Sequence, residues 1–303
     1  EKPPLQSNRK VDKWRVVHSD SFKIKHYRQG AVEPMKNVDT QREILRFKNG
    51  RLERALDTVA TEFPVTLKVN GQEWVTMVCT PEYIEDMAVG YLVSERVVRR
   101  YEDIRDIWTD EKGGFVHVRT DHLNPYYEQL QNKRYITSCC GMSRQAFVFV
   151  NDALAAKKMD GVHVRITVDD CFRLMEALQE NAEVFKKTGG VHNAALCDAG
   201  GILVSRMDIG RHNALDKIYG YCLKNQVSTK GKILAFSGRI SSEILLKTAK
   251  IGCEVILSKS APTTLALESA EELGITTIGF IRGGSMNIYT CPERIAGVAA
   301  HAR

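Results

Sequence analysis

Two adjacent thiols, Cys139 and Cys140, sit in the segment Ile136-Thr-Ser-Cys-Cys-Gly-Met-Ser-Arg144. Sequence neighbours make a poor structural disulfide, because an unstrained bridge wants Cα atoms roughly 4.4–6.8 Å apart and a relaxed S–S torsion. A loop of small residues around a glycine is equally poor core packing. Lys133, Arg134 and Arg144 flank it, and nearby positive charge favours the thiolate, the form that attacks sulfur electrophiles and binds metals. The plainer alternative is that at least one of the pair is a buried small hydrophobe, as free cysteines commonly are. Most of the other cysteines (Cys79, Cys171, Cys197, Cys222, Cys253 and Cys291) sit singly in apolar surroundings and read as core filler. Scattered unpaired thiols fit a reducing cytoplasm better than a secreted disulfide scaffold.

Three further segments have the composition of anion-binding loops: Ser237-Gly-Arg-Ile-Ser-Ser242, Ser258-Lys-Ser-Ala-Pro-Thr-Thr264 and Phe280-Ile-Arg-Gly-Gly-Ser285. All three share one expected design, a strand followed by small polar residues and a helix N-terminus. Ligands of open α/β sheets bind outside the carboxyl ends of the strands, where free N–H groups and helix dipoles suit phosphate or carboxylate. Arg239, Lys259 and Arg282 add charge, and Arg282-Gly-Gly permits close backbone approach. Any one loop is explained equally by helix capping; three in succession point to a nucleotide or other phosphorylated ligand. None is a Walker A sequence or a G-x-G-x-x-G, so kinase, GTPase and Rossmann dehydrogenase readings lack support.

Two histidine segments precede these loops, Thr188-Gly-Gly-Val-His192-Asn193 and Asp208-Ile-Gly-Arg-His212-Asn213-Ala-Leu-Asp216. Arg211 and His212 are expected at a helix start, with Asp216 one turn on and able to orient His212, an arrangement suited to anion binding or proton transfer. Capping with a surface ion pair is the alternative. Zinc is the competing idea for Cys139, Cys140, Cys197, His192 and His212. Yet Ser143 stands where a second cysteine would complete a C-x-x-C, and the H-x-E with P-C-x-x-C pattern of zinc deaminases is missing. No protein-ligated metal is expected.

The elements that must position these residues follow from length and pattern. At 303 residues, 43% apolar and 26% charged, the chain fits two domains, or one with a large appendage. No apolar run approaches the roughly 20 residues that cross a bilayer, so no membrane partner is expected. The chain opens Glu1-Lys-Pro-Pro without a signal-peptide pattern; lacking an initiator Met, it is expected to miss its first residue or to have been processed. Residues 1–50 carry 12 Lys/Arg against 6 Asp/Glu, while the remainder is neutral. No nucleic-acid module accompanies this charge, so residues 1–41 read as a solvated basic tail, with no nucleic-acid partner. Residues 42–160 read as a β-rich α+β domain that includes the cysteine loop 136–144. Phe63–Val69 and Trp74–Cys79 form a hairpin around Asn70-Gly71, a helix starts at Thr80-Pro81, and His117 is an exposed residue of strand Phe115–Arg119. One helix is expected over 168–188, with Asp169 and Asp170 complementing its dipole. Residues 161–303 alternate apolar strands with amphipathic helices, predicting a largely parallel sheet covered on both faces.

Taken in order, Ile136-Thr-Ser-Cys-Cys-Gly141, Thr188-Gly-Gly-Val-His-Asn-Ala-Ala195, Asp208-Ile-Gly-Arg-His-Asn-Ala-Leu-Asp-Lys217, Phe236-Ser-Gly-Arg239, Ser258-Lys-Ser-Ala-Pro-Thr263 and Gly279-Phe-Ile-Arg282 closely resemble FdhD, a family of accessory sulfurtransferases required for formate dehydrogenase activity. The likeness spans about residue 55 to Arg294. It implies a sulfur carrier that accepts persulfide sulfur from a cysteine desulfurase and hands it to the molybdenum bis(molybdopterin guanine dinucleotide) cofactor, its bound substrate, before insertion into formate dehydrogenase. It also implies a homodimer and a C-terminal three-layer α/β/α domain with a cytidine deaminase-like fold. Aligning Thr-Ser-x-Cys-Gly makes Cys140 the implied persulfide bearer and puts Ser143 where many members carry a second cysteine. Cys139 is then the candidate relay thiol. The cofactor-binding stretch falls on Phe280, Ile281, Arg282, Gly283, Gly284 and Ser285. A chaperone that holds the cofactor without moving sulfur remains the alternative, and a nucleotide-modifying hydrolase a third reading.

Overall fold

The computed structural model describes residues 37–125, 134–136, 143–145 and 156–298. Strands β1 (Asp39–Lys48) and β2 (Arg51–Ala60) form a ribbon closed by Asn49-Gly50, with φ of 52° and 80°. The same dipeptide at Asn70-Gly71, with φ of 50° and 84°, joins β3 (Phe63–Val69) to β4 (Gln72–Cys79). Asn and Gly tolerate the left-handed conformation that such tight hairpin turns demand. Strands β5 (Ile104–Asp110) and β6 (Phe115–Thr120) complete a sheet of order β4-β3-β6-β5, with β3 and β6 parallel. Val116 and Val118 face its core, while His117 points outward and stacks on Trp108, ring centroids 4.9 Å apart.

Helix α1 (Ile84–Ser94) covers the inner face of this sheet. It starts later than the sequence predicts. Thr80 does not cap it, because its N–H and hydroxyl both donate to Asp208 Oδ2 at 3.0 Å. Tyr83, at φ 52°, turns the chain into the helix instead. Short strands β7 (Arg134–Ile136) and β8 (Ser143–Gln145) pair antiparallel.

The expected helix over 168–188 is two helices, α2 (Val168–Glu180) and α3 (Glu183–Thr188). Asn181 ends the first, its side-chain amide donating to Ala177 O at 2.9 Å beside its own backbone N–H at 3.1 Å, so one carbonyl of the last turn takes both. At the other end Thr167 and Asp170 form a reciprocal capping box.

The large sheet runs β10-β9-β11-β12-β13-β14, built from β9 (His192–Asp198), β10 (Gly201–Asp208), β11 (Ile233–Phe236), β12 (Val255–Ser258), β13 (Thr276–Arg282) and β14 (Ser285–Thr290). Only β11, β12 and β13 run parallel; hairpins at both edges make it mixed rather than largely parallel. Its alternating side chains divide two ways. Ala195, Cys197, Ile233 and Ala235 meet α2, whereas Leu196, Leu234, Phe236 and Ile256 meet the layer of α4 (Arg211–Lys224), α5 (Ser242–Ile251) and α6 (Thr264–Leu273). The result is helix, sheet, helix.

Helices α1 and α4 cross at two glycines. A Cβ on Gly90 would collide with the Asp216 backbone, and one on Gly220 with the Asp86 backbone. Without side chains there, the two backbones touch, and one apolar core continues from the small sheet into the large one. Among the described residues no helix is long and apolar enough to cross a membrane.

Candidate functional site

Cys139 and Cys140 lie outside the described residues, in the six positions between β7 and β8. The remaining cysteines behave as the sequence suggested. Cys79, Cys171, Cys197, Cys222 and Cys253 are buried free thiols. Burial pushes the Cys79, Cys171 and Cys197 thiols up to about 12 and Cys222 up to about 11, and raises Cys253 as well. Cys291, half-buried, is raised by the same cause. Every thiol among the described residues is thus held away from the thiolate that sulfur transfer requires.

The sheet's carboxyl edge brings the three anion-competent loops together. Ile240 donates its N–H to Ala261 O at 3.1 Å, and Thr263 donates to Ile240 O at 3.0 Å. Ser258 Oγ donates to Gly238 O at 2.7 Å and Ser260 Oγ to Ser237 O at 3.3 Å. Phe280 N–H reaches Ser260 O at 3.3 Å. Asn193 joins from β9, its N–H donating to Ser237 Oγ at 2.9 Å, and His192 approaches the same loop across Gly238. Burial holds the His192 imidazole below its usual range, opposed by Asp208.

The first two loops do enter helices, α5 and α6. The third does not. Gly283 and Gly284, with φ of 56° and 73°, close a two-residue turn into β14, and glycine pairs at positive φ make that kind of hairpin. Phe280, Arg282, Gly283, Gly284 and Ser285 stand toward the surface at this tip, with the Arg282 guanidinium 5.5 Å from the Phe280 ring centroid. Ile281, 2% exposed, turns its side chain into the core, leaving only its backbone for a ligand. Phe280 itself sits at φ 54° within a break in the β13–β14 register.

The Asp208–Lys217 segment divides into scaffold and site. Asp208 is fully buried and lies 2.7 Å from Lys217 Nζ. It also accepts from Thr80, Gly210 and Asn213. This network pins the end of β10, the start of α4 and the chain after β4 at one point. Asp216 belongs to a second lock, bonded to Lys247 Nζ at 2.5 and 2.6 Å and to Ser94 at 3.2 Å. Burial pushes its carboxyl up while Lys247 opposes this. It therefore does not orient His212. The acidic neighbour of His212 is instead Glu243 in the first turn of α5, whose Oε2 lies 3.2 Å from His212 Nε2. Nothing in the sequence links positions 212 and 243; only the sheet order brings them together.

What remains of the segment faces the edge. Arg211 lies close to Arg239 and Glu243, and burial with the Arg239 charge lowers its pKa against the pull of Glu243. Its Nε and Nη2, and the Ser241 hydroxyl, are buried without a hydrogen-bond partner among the described residues. Unmet donors beside clustered guanidiniums and two helix starts suit a polyanion. Among the described residues, no group of three or more His, Cys, Asp or Glu side chains is placed to hold a metal ion.

The FdhD/NarQ family model matches residues 60–296. A Shouchella clausii relative named sulfur carrier protein FdhD is 57% identical across 86% of this chain and 98% of its own. A Bacillus subtilis relative of the same name is 49% identical across 85% and 98%. The crystal structure of a "putative formate dehydrogenase accessory protein" from Desulfotalea psychrophila superposes with a TM-score of 0.68 at 22% identity, covering 86% of this chain and all of that one. A match of this extent, over the small sheet, the large sheet and the edge they present, means that the chain belongs to the FdhD/NarQ family.

Proposed function

We propose that this protein is a sulfur carrier that supports formate dehydrogenase. Cys140 accepts sulfur from a cysteine desulfurase and passes it to the molybdenum bis(molybdopterin guanine dinucleotide) cofactor before that cofactor enters the dehydrogenase. The observation that carries the reading is similarity, over 85–86% of this chain, to proteins named sulfur carriers, joined to an edge with unmet anion-binding donors. In the loading step the Cys140 thiolate attacks the outer sulfur of the donor persulfide. A new S–S bond forms on Cys140, the donor's S–S bond breaks, and the donor cysteine leaves as thiolate, so no external oxidant is consumed. Raised pKa values at the described thiols make those cysteines poor competitors for this sulfur.

Guanine dinucleotide phosphates would rest on the Ser237–Ser242 and Ser258–Thr264 loops and the Phe280–Ser285 hairpin, with Arg239, Lys259 and Arg282 supplying charge. Holding the cofactor beside the persulfide supplies rate through orientation. The homodimer and a reducing cytoplasm belong to the same proposal. Formate dehydrogenase activity in cells carrying Cys140→Ala tests the carrier against the chaperone. The carrier reading expects activity to be lost; activity kept at the wild-type level would make the protein a cofactor-holding chaperone.

A further inference from the structure

Among the described residues the β1–β2 ribbon is a sheet of two strands, with no third strand beside it. A two-stranded hairpin alone is marginal in water, and a further strand or a covering element is what stabilises one. The base of this ribbon is held. Thr61 donates its N–H to Val38 O at 2.9 Å, and Ala60 lies against Gly190, where an added Cβ would come within 3.2 Å of its own. Beyond the base, one face is apolar. The strand register places Leu45 and Phe47 on the same side as Leu52 and Leu56. In that order they are 71, 70, 70 and 63% exposed. Single surface leucines mean little, but these four adjoining side chains present roughly 500 Å² of apolar surface, an extent that marks an interaction site.

The charges on this face identify its occupant. It carries one acid and one base, Glu43 and Arg54, in adjacent rows on opposite strands. Both are exposed, and neither has an ion-pair partner among the described residues. On the other face, by contrast, Arg46 and Asp57 pair at 3.1 Å. A two-fold axis across the apolar face exchanges the two rows and sets Glu43 of each copy beside Arg54 of the other. A face that carries its own complement in this way fits a second copy of itself. Two such faces together withdraw roughly 1,000 Å² from water, the size at which specific association begins.

We propose that the β1–β2 ribbon is the seam of a homodimer, its Leu45, Phe47, Leu52 and Leu56 face packed on the same face of a second copy. The seam rests on the homodimer of the sulfur-carrier reading but not on the sulfur chemistry itself.

Sedimentation equilibrium of the full-length protein tests it, using wild type, Leu52→Glu, Glu43→Arg and Arg54→Glu. Wild type is expected to be a dimer. Leu52→Glu alters an exposed position, so its far-UV circular dichroism should not change. Its dimer should be weaker by about tenfold or more, because a charge without a partner replaces an apolar contact at the seam. Glu43→Arg and Arg54→Glu should each weaken self-association. An equimolar mixture of those two should restore a dimer, since opposite charges then meet at both crossings of the seam, and this rescue decides the matter if Leu52→Glu fails to fold. The seam is overturned by a monomeric wild type, whatever else covers the ribbon, by a dimer that all three substitutions leave intact, or by a mixture no more dimeric than its components. Sulfur loading of wild-type Cys140 is read separately. Loading in a monomeric protein sinks the seam and leaves the carrier standing; a dimer that takes up no sulfur sinks the carrier reading alone.

Discussion

Asp170 illustrates how one side chain's electrostatics becomes a measurable quantity. Its carboxylate accepts from the Thr167 N–H at 2.9 Å and hydroxyl at 2.8 Å, and from Arg173 at 2.7 Å. The Arg173 bond comes first and the Thr167 bonds next in holding it down to about 2, below its ordinary 3.8. Because the folded value is the lower one, this contribution is complete above about pH 3.8 and is lost as pH falls through about 2. Solvent screens the half-buried group, so Asp170→Asn should cost about 1 kcal/mol at neutral pH. Denaturant unfolding of both proteins should show that gap closing toward pH 2; a gap independent of pH would contradict the assignment. Sequence alone flagged the first-turn acids and the likeness of Cys140 to a persulfide bearer. It could not show that Asp216 is engaged by Lys247 and Ser94, because those partners lie 31 and 122 positions away in the chain.

Elements were legible where local chemistry decides them. Both strands of the Asn70-Gly71 hairpin and the strand–helix alternation after Lys232 follow from period and turn residues. The failures have tertiary causes: Thr80 gives up its capping role to Asp208, and Gly283-Gly284 makes a hairpin where a helix entry was expected. The α1–α4 crossing is the element contact on which the arrangement depends most. Gly220→Ala should destabilise by about 2 kcal/mol or more, since the backbone of Asp86 rather than a flexible side chain occupies the space. Lys217→Met, which strands a fully buried Asp208 without its counter-charge, should cost about 3–5 kcal/mol. Thermal melts check both; unchanged midpoints would mean that the helices reposition freely.

At the scale of the molecule, the small sheet and the large sheet share an apolar core through α1 and α4. The described structure is therefore expected to unfold in one step. With Trp14 replaced by Phe, tryptophan fluorescence reports on Trp74 and Trp108 in the small sheet, whereas far-UV circular dichroism is weighted toward the helices, nearly all beside the large sheet. Coincident denaturant transitions are expected; a separated early transition in fluorescence would show that the small sheet stands alone. The shared core gives the carboxyl edge a fixed frame, and fixed donors hold a charged guest with little reorganisation. Whether sulfur reaches that guest turns on one thiol. The most direct measurement is the intact mass and peptide map of the protein after incubation with a cysteine desulfurase and cysteine. The account predicts one added sulfur atom, removable by reductant, on the peptide containing Cys139 and Cys140, abolished by Cys140→Ala and retained by Cys139→Ala. An unmodified peptide, or sulfur that persists in Cys140→Ala, would contradict it.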